Sequence, residues 1–246
     1  MLRNTLLNYC NNERKKYMYG IVSPMSEEGK TLINHLEEHQ TVVIAHKTFH
    51  IGYIGHENIV VVEAGIGKVA AAMSTTLLLT NFKVDSIINA GSAGSLNRDL
   101  HIHDVVVAKE LVYGDADATV FGYSMGQIPQ QPSRFPTDKR LSENIYKSLA
   151  NQKVRRSRGL IVTADSFLGK KTIRKNIVHN FPDGLVSDME GAAVAQVAHH
   201  FKVPFTVLRV ISDEATDGAG TIFDEVIDQI GDEVGEILIN YFETLL

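Results

Sequence analysis

The chain is poor in several things that would point elsewhere. It has one cysteine, Cys10, among 246 residues, so no disulfide can form within it. That fits a reducing compartment, and we expect a cytoplasmic protein. No apolar run approaches the ~18 residues of a membrane span, so no membrane association is expected. The first ten residues, Met1 to Cys10, are too weakly apolar for a secretory signal, and Arg14, Lys15 and Lys16 follow the apolar part instead of preceding it. Positive charge is not in surplus: 24 Lys+Arg against 29 Asp+Glu leave a net charge of −5, which argues against a nucleic-acid-binding surface. Cysteine clusters, an HExxH run, repeats and low-complexity tracts are all missing, so the familiar zinc signatures have no footing.

What is present suits one folded domain. With 44% hydrophobic and 22% charged residues, disorder is not expected, and the length is enough for one large α/β core. Residues 1–16 read as an extension and 17–246 as a single domain. Tyr17 to Val22 reads as a buried strand and Ser26 to about His39 as a helix with Leu32, Ile33 and Leu36 on one face. Three short strands near 41–45, 48–54 and 58–63 suggest hairpins. An Ala/Leu-rich helix follows from Gly67 to Phe82. Asp85 to Gly91 reads as a strand running into a Gly91-Ser-Ala-Gly94 turn, and Asp104 to Tyr113 as a β-branched strand. Residues 114–137 form a long loop with Pro129, Pro132 and Pro136, a length usually kept for function or an interface. Helices are expected at 140–150, 172–179, 190–201 and 222–246, and strands at 159–163 and 204–211. The alternation predicts a mixed or mostly parallel sheet with helices on both faces.

Three acids stand where chemistry is expected in such a sheet. The strand Pro204 to Ile211 delivers Ser212-Asp213 at its carboxyl end, where ligands of open α/β sheets sit. Met189-Glu190 opens a predicted helix, and Glu28 lies just after the first strand. Together they suggest acid/base work on a small molecule. Each has a plainer reading as well: a solvated helix-face charge for Glu28, a dipole-favoured helix acid for Glu190, a strand-end cap for Asp213, and core packing for Phe167 and Phe223.

Other motifs carry less. Gly65-Ile-Gly-Lys-Val-Ala70 fits a dinucleotide fingerprint, but the following strand ends in Asn89-Ala90-Gly91 without the ribose-binding acid. A tight strand-to-helix turn accounts for it. His101-Ile-His103 offers two imidazoles but no third ligand in sequence, and His199-His200 suits a helix C-terminus. Ser92 is not in a G-x-S-x-G elbow. A glycine-flanked turn offering N–H groups and a hydroxyl to a ligand is the reading we adopt for it.

An ordered set of runs resembles the 5′-methylthioadenosine/S-adenosylhomocysteine nucleosidase family, within the purine nucleoside phosphorylase-like superfamily. The runs are Gly20-Ile-Val-x-x-Met25-x-Glu-Glu28, Gly65 to Ala72, Ile87-Ile-Asn-x-Gly-Ser-Ala-Gly94, Asp115 to Tyr123, Gly126-Gln-Ile-Pro129, Gly159 to Val162, Met189-Glu190 and Ile211-Ser-Asp213. The resemblance implies a three-layer α/β/α sandwich with a mixed central sheet, a nucleoside substrate, a homodimer, and no cofactor or metal. It implies Asp213 as the acid that protonates adenine N7, oriented by Ser212, and Glu28 as the carboxylate that activates water. Glu190 would hold ribose hydroxyls and Met189 would pack on the ribose. Phe167 would stack on adenine and the Leu168 backbone would bond its edge. Arg209 would position the acids, and Ser92 would contact substrate. Met25, Ile66 and Phe223 would line the 5′-alkylthio pocket, which Phe121 and Pro129 of a second copy would close.

The chain departs from the family's runs at Asp188-Met-Glu-Gly191, Gly114, Ser23-Pro24 and Met125, which leaves the preference among methylthioadenosine, adenosylhomocysteine and 5′-deoxyadenosine open. A nucleoside phosphorylase would need arginines in the early glycine loop and before Gly91, and neither segment has one. An aminofutalosine-type hydrolase and a non-catalytic nucleoside-binding protein remain alternatives.

Overall fold

The structure is a computed structural model and describes residues 17–169, 171–214 and 219–245. The expected N-terminal extension lies outside these residues. Among them, ten strands form one mixed sheet. Strands β1 (Met18–Ser23), β4 (Glu57–Glu63), β5 (Ser86–Ser95) and β10 (Phe205–Asp213) run parallel, in the order β4-β1-β5-β10. Strands β2 (Glu37–Ile44) and β3 (Lys47–Ile54) extend the β4 edge as an antiparallel meander. On the other side β6 (Val105–Tyr113), β8 (Arg156–Thr163) and β9 (Gly184–Asp188) run parallel to one another. There β6 pairs antiparallel with β10, and β9 antiparallel with β5, so five strands close into a ring. A two-residue strand, β7 (Phe135–Pro136), adds to β6.

Helices cover both faces, as the alternating pattern predicts. Helix α2 (Lys68–Asn81) and helix α5 (Gly191–Phe201) bury Ala71, Leu78, Ala192, Ala195 and Ala198 against one face. Helices α1 (Ser26–Asn34), α3 (Lys139–Ser148) and α6 (Ala219–Glu243) bury Leu32, Ile33, Leu141, Ile145, Val234 and Leu238 against the other. Helix α4 (Lys171–Asn180) packs Ile177 into a smaller cluster with Leu96, Leu160 and Leu168. Burial of each large apolar side chain stabilises by about 1.5–3 kcal/mol, so the two main clusters dominate. Their consequence for function is the seating of α1. Gly231 and Gly235, one turn apart on α6, leave room for it: a Cβ at Gly231 would strike the Glu27 carbonyl oxygen, and one at Gly235 would come within 2.7 Å of Thr31 Cβ.

Three local expectations change. The first helix stops at Asn34, not near His39. The chain reverses through Glu38 at φ 49°, and Glu37–Ile44 instead finds its hydrogen-bond partners on β3. Gly91 to Gly94 is not a turn; it continues β5 to Ser95, paired to β10 on one side and β9 on the other. Strand β9 was not expected at all. It is five residues long and lacks a period that a sequence reading could register.

Candidate active site

The acids converge because strand ends and helix starts converge. At the carboxyl ends of the parallel strands lies a cavity of about 360 Å³. Its polar wall includes Glu28, Ser92, Asp188, Glu190, Ser212 and Asp213. Its apolar wall includes Met25, Ile66, Phe167, Met189 and Phe223. Leu168 lines a narrow annex of about 30 Å³, bounded also by Phe167, Met189 and Asp213. Of the expected site residues, only Arg209, Phe121 and Pro129 line neither space.

Glu28 is no solvated helix-face charge. It stands in the first turn of α1 and is 3% exposed. Its Oε2 accepts from the Met25 amide at 3.0 Å, and its Oε1 accepts from both the Ser92 amide and the Ser92 hydroxyl at 2.7 Å. The two groups that Ser92 was expected to offer a ligand are therefore turned to Glu28. Gly91 makes the approach possible: a Cβ there would sit 2.8 Å from Glu28 Oε1. Burial pushes the Glu28 carboxyl above the usual range, and the Ser92 and Met25 hydrogen bonds and Arg209 act against that rise.

Glu190 is the N-cap residue of α5, but its side chain does not cap that helix. It accepts at 2.8 Å from the amide of Gly67, the N-cap of α2. Gly67 holds φ 94°, a conformation glycine adopts without a steric penalty. The G-x-G-x-x-A run thus serves an internal carboxylate. Burial pushes Glu190 up to about 8; Arg209 opposes the shift and Asp188 adds to it.

Arg209 stands against two acids and does not line the cavity. It is fully buried behind the cavity wall. Its Nη2 lies 2.7 Å from Asp188 Oδ2 and 3.6 Å from Glu190 Oε2, and donates to Asn89 Oδ1 at 2.6 Å. Its Nε donates to Asp188 Oδ2 at 3.0 Å. The Thr163 hydroxyl donates to Asp188 Oδ1 at 2.5 Å, and the Gly191 amide to Oδ2 at 3.1 Å. One guanidinium thus serves two buried carboxylates. The second charge is costly in this setting, which is why Glu190 tends to keep a proton. Sequence reading did not assign Asp188, Asn89 or Thr163 a part in this network. Gly191 belongs with them, since a Cβ there would lie 2.5 Å from Asp188 Oδ2.

Asp213 ends β10 beyond a register shift between Ile211 and Asp213, where β10 runs beside Ala93 and Gly94. Such bulges re-aim side chains at sites. The Ser212 hydroxyl lies 3.1 Å from Asp213 Oδ2 and 3.3 Å from the Ala93 carbonyl oxygen. Phe167, 43% exposed, meets Phe223 edge-on with ring centroids 5.8 Å apart, so neither ring is core.

Outside the cavity, the loop after β6 is tied back by Lys68, whose Nζ donates to both Asp115 oxygens at 2.8 Å. Met125 tucks into the cluster around α4. Phe121, in contrast, is 79% exposed on a 3₁₀ turn (Thr119–Phe121), and Pro129 is exposed too. His101 and His103 pair with different acids, Glu214 and Glu233, and among the described residues no group of three His, Cys, Asp or Glu is suited to a metal. No helix of the described residues is long and apolar enough to cross a membrane.

The likeness to known proteins agrees with this geometry. The model of the phosphorylase superfamily matches residues 18–243. A 5′-methylthioadenosine/S-adenosylhomocysteine nucleosidase of Staphylococcus carnosus is 41% identical over 228 residues, 93% of this chain and 100% of that protein. The S-adenosylhomocysteine nucleosidase of Streptococcus pyogenes, solved with 5-methylthiotubericidin, aligns at TM-score 0.92 and 37% identity, over 96% of this chain and 100% of that one. The futalosine hydrolase of Helicobacter pylori aligns at TM-score 0.88 and 30% identity, over 93% and 98%. With the match to these relatives running over nearly the whole chain, the chain belongs to the 5′-methylthioadenosine/S-adenosylhomocysteine nucleosidase family of the phosphorylase superfamily.

Proposed function

We propose that the protein hydrolyses the N-glycosidic bond of 5′-methylthioadenosine and S-adenosylhomocysteine, releasing adenine and the 5′-substituted ribose. The observation that carries this reading is the single cavity joining a polar floor of Glu28, Glu190 and Asp213 to an apolar wall of Met25, Ile66 and Phe223. Adenine is a poor leaving anion. Asp213 donates a proton to N7 as the C1′–N9 bond breaks and its electron pair passes to the base. Charge develops at C1′ as an oxocarbenium-like cation. A water oxygen then bonds to C1′ and its proton passes to Glu28, whose raised pKa makes it the better base. Glu190 accepts from the ribose hydroxyls, Met189 packs on the sugar, Phe167 stacks on adenine, and the Leu168 backbone binds the purine edge.

The 5′ end is the incomplete part of the site. Ile66, Val69, Val120 and Phe121 are all more than half exposed. Apolar surface of this kind marks an interaction site, and a second copy of the chain, bringing Phe121 and Pro129, is the cover that the reading requires. The function is tested by adenine release from both thio-nucleosides, with and without phosphate. Phosphate-independent release is expected. A ribose 1-phosphate product would replace water by phosphate in the reaction, and futalosine turned over faster than either thio-nucleoside would reassign the substrate.

A further inference from the structure

A second cleft, of about 650 Å³, opens on the far side of the Asp213 strand end. One wall is a single face of α4: Lys171, Arg174, Lys175 and Val178 recur at the three- and four-residue spacing of one helix stripe. The opposite wall is the end of β5 and the turn after it, with Ser95, Asn97, Arg98 and Leu100. Four of the nine lining residues are therefore cations, in a chain whose net charge is −5. Among the described residues, the only acid in the lining is Glu214, and its carboxylate already faces His101 Nδ1 at 3.3 Å.

Three of the four cations lack a carboxylate partner among the described residues. Among the described residues, Arg98, Arg174 and Lys175 form no ion pair with any carboxylate. Arg174 spends one Nη2–H on the Leu96 carbonyl oxygen at 3.0 Å, while its Nε is buried without a hydrogen-bond partner. A buried guanidinium nitrogen without an acceptor is costly. The first turn of α4 holds no acid of its own, so the helix adds a positive dipole end beside these cations. Like charges gathered in one concavity repel one another unless an anion joins them.

We propose that this cleft binds a small molecule bearing two or more phosphate groups. Guanidinium and ammonium groups in convergent array suit phosphate oxygens, and the volume falls within the roughly 300–1,000 Å³ of small-molecule sites. Leu100 and Val178 give the cleft an apolar portion that a base or another flat group would cover. The site is separate from the catalytic cavity but shares its wall. Gly94 and Asp213 line the cavity, and the next residues in the chain, Ser95 and Glu214, line the cleft. An occupant therefore bears directly on the strand end that carries Asp213.

Calorimetric titration at constant ionic strength tests this, with sodium tripolyphosphate as the first probe and guanosine triphosphate, whose base is not adenine, as the second. Saturable binding at one site per chain is expected for at least one of them. Tighter binding of the nucleotide assigns a nucleoside polyphosphate; equal binding assigns the polyphosphate group alone. Arg98 and Lys175 are exposed, so the Arg98→Gln/Lys175→Gln protein should fold and release adenine at the basal rate while binding the probe roughly tenfold or more weakly. Arg174→Gln should weaken it as well. Heats that track ionic strength without saturating, or unchanged affinity in the double variant, overturn the proposal. So does competition between tripolyphosphate and adenine, which would put the probe in the catalytic cavity.

Discussion

The floor and the rim of the cavity are built by different rules. On the floor, Glu28, Asp188, Glu190 and Arg209 are all buried, and each is bound to residues distant in the chain. Nothing there waits for a partner molecule to set its geometry. At the rim Ile66 is 57% exposed, and outside the cavity Phe121 is 79% exposed. On the proposed reading the floor would face developing charge, which rewards preorganised groups in a dry setting. On the same reading the rim would take an apolar 5′ substituent, which rewards covered area and tolerates a wall delivered by another chain. If that reading holds, the reacting centre is fixed within one chain and the 5′ end is where assembly and substrate choice would meet.

The sharpest test of a self-sufficient floor is Asp213→Asn. An amide cannot supply the N7 proton, so turnover should fall by about 10²–10⁴, the usual size of lost general-acid catalysis. Adenine binding should change much less. Single-turnover adenine release together with an adenine titration checks both. Near-normal turnover would remove Asp213 from the chemistry.

Arg209→Met asks whether the floor stands on its one cation. The substitution keeps bulk but leaves Asp188 buried without its counter-charge, an error worth about 3–5 kcal/mol. The midpoint of urea unfolding should drop accordingly, and adding Asp188→Asn should recover part of the loss. An Arg209→Met protein as stable as the parent would show the network to be dispensable.

How much of this was legible in the chain depended on distance. Ser212-Asp213 could be placed because β10 is one long apolar strand that announces its own end. Met25, Phe167 and Phe223 followed from the resemblance. Glu28 needed it too, since an acid in the first turn of a helix is normally solvated. The supporting shell left no local trace. Gly67 and Glu190 are 123 residues apart, and Arg209 and Asn89 are 120 apart; no periodicity joins such pairs. The same holds for the ring of five strands, whose closing pair β5–β9 spans only two residue pairs in register. Gly91 looked like a turn residue and proved to be a strand residue that makes room for a carboxylate.

A smaller effect tests the electrostatics of the floor. The usual carboxyl value is 4.5, and folding lifts Glu190 to about 8. Between those values the folded protein holds a proton that the unfolded chain has released. Stability therefore falls as pH rises through this window and levels off above it. Glu190→Gln removes that titration. Its gain over the parent should be slight at pH 5 and largest near pH 9, and should be reduced by Arg209's loss of a partner. Glu28 is shifted in the same direction, so some slope should survive. Parallel stability curves for the two proteins would mean that Glu190 is ionised throughout.

The smallest effect falls on the rim, and it is the one that could break the comparison. If a second copy supplies the missing wall, Phe121 contributes nothing to its own chain's cavity and something to its partner's. Covering an aromatic ring contributes about 1.5–3 kcal/mol when complete, and a shared, partly wet rim should realise the lower end. Phe121→Ala should then raise KM for 5′-methylthioadenosine by roughly tenfold, leave KM for adenosine, which lacks the thio substituent, nearly unchanged, and leave kcat within a few-fold because the floor is untouched. Sedimentation should find the parent as a dimer and the variant shifted toward monomer at low concentration. A parent that is monomeric and fully active would give the rim no partner, and the exposed phenylalanine would need another occupant. Equal losses in KM for both nucleosides would mean that Phe121 shapes the cavity as a whole, and the division between floor and rim would fail.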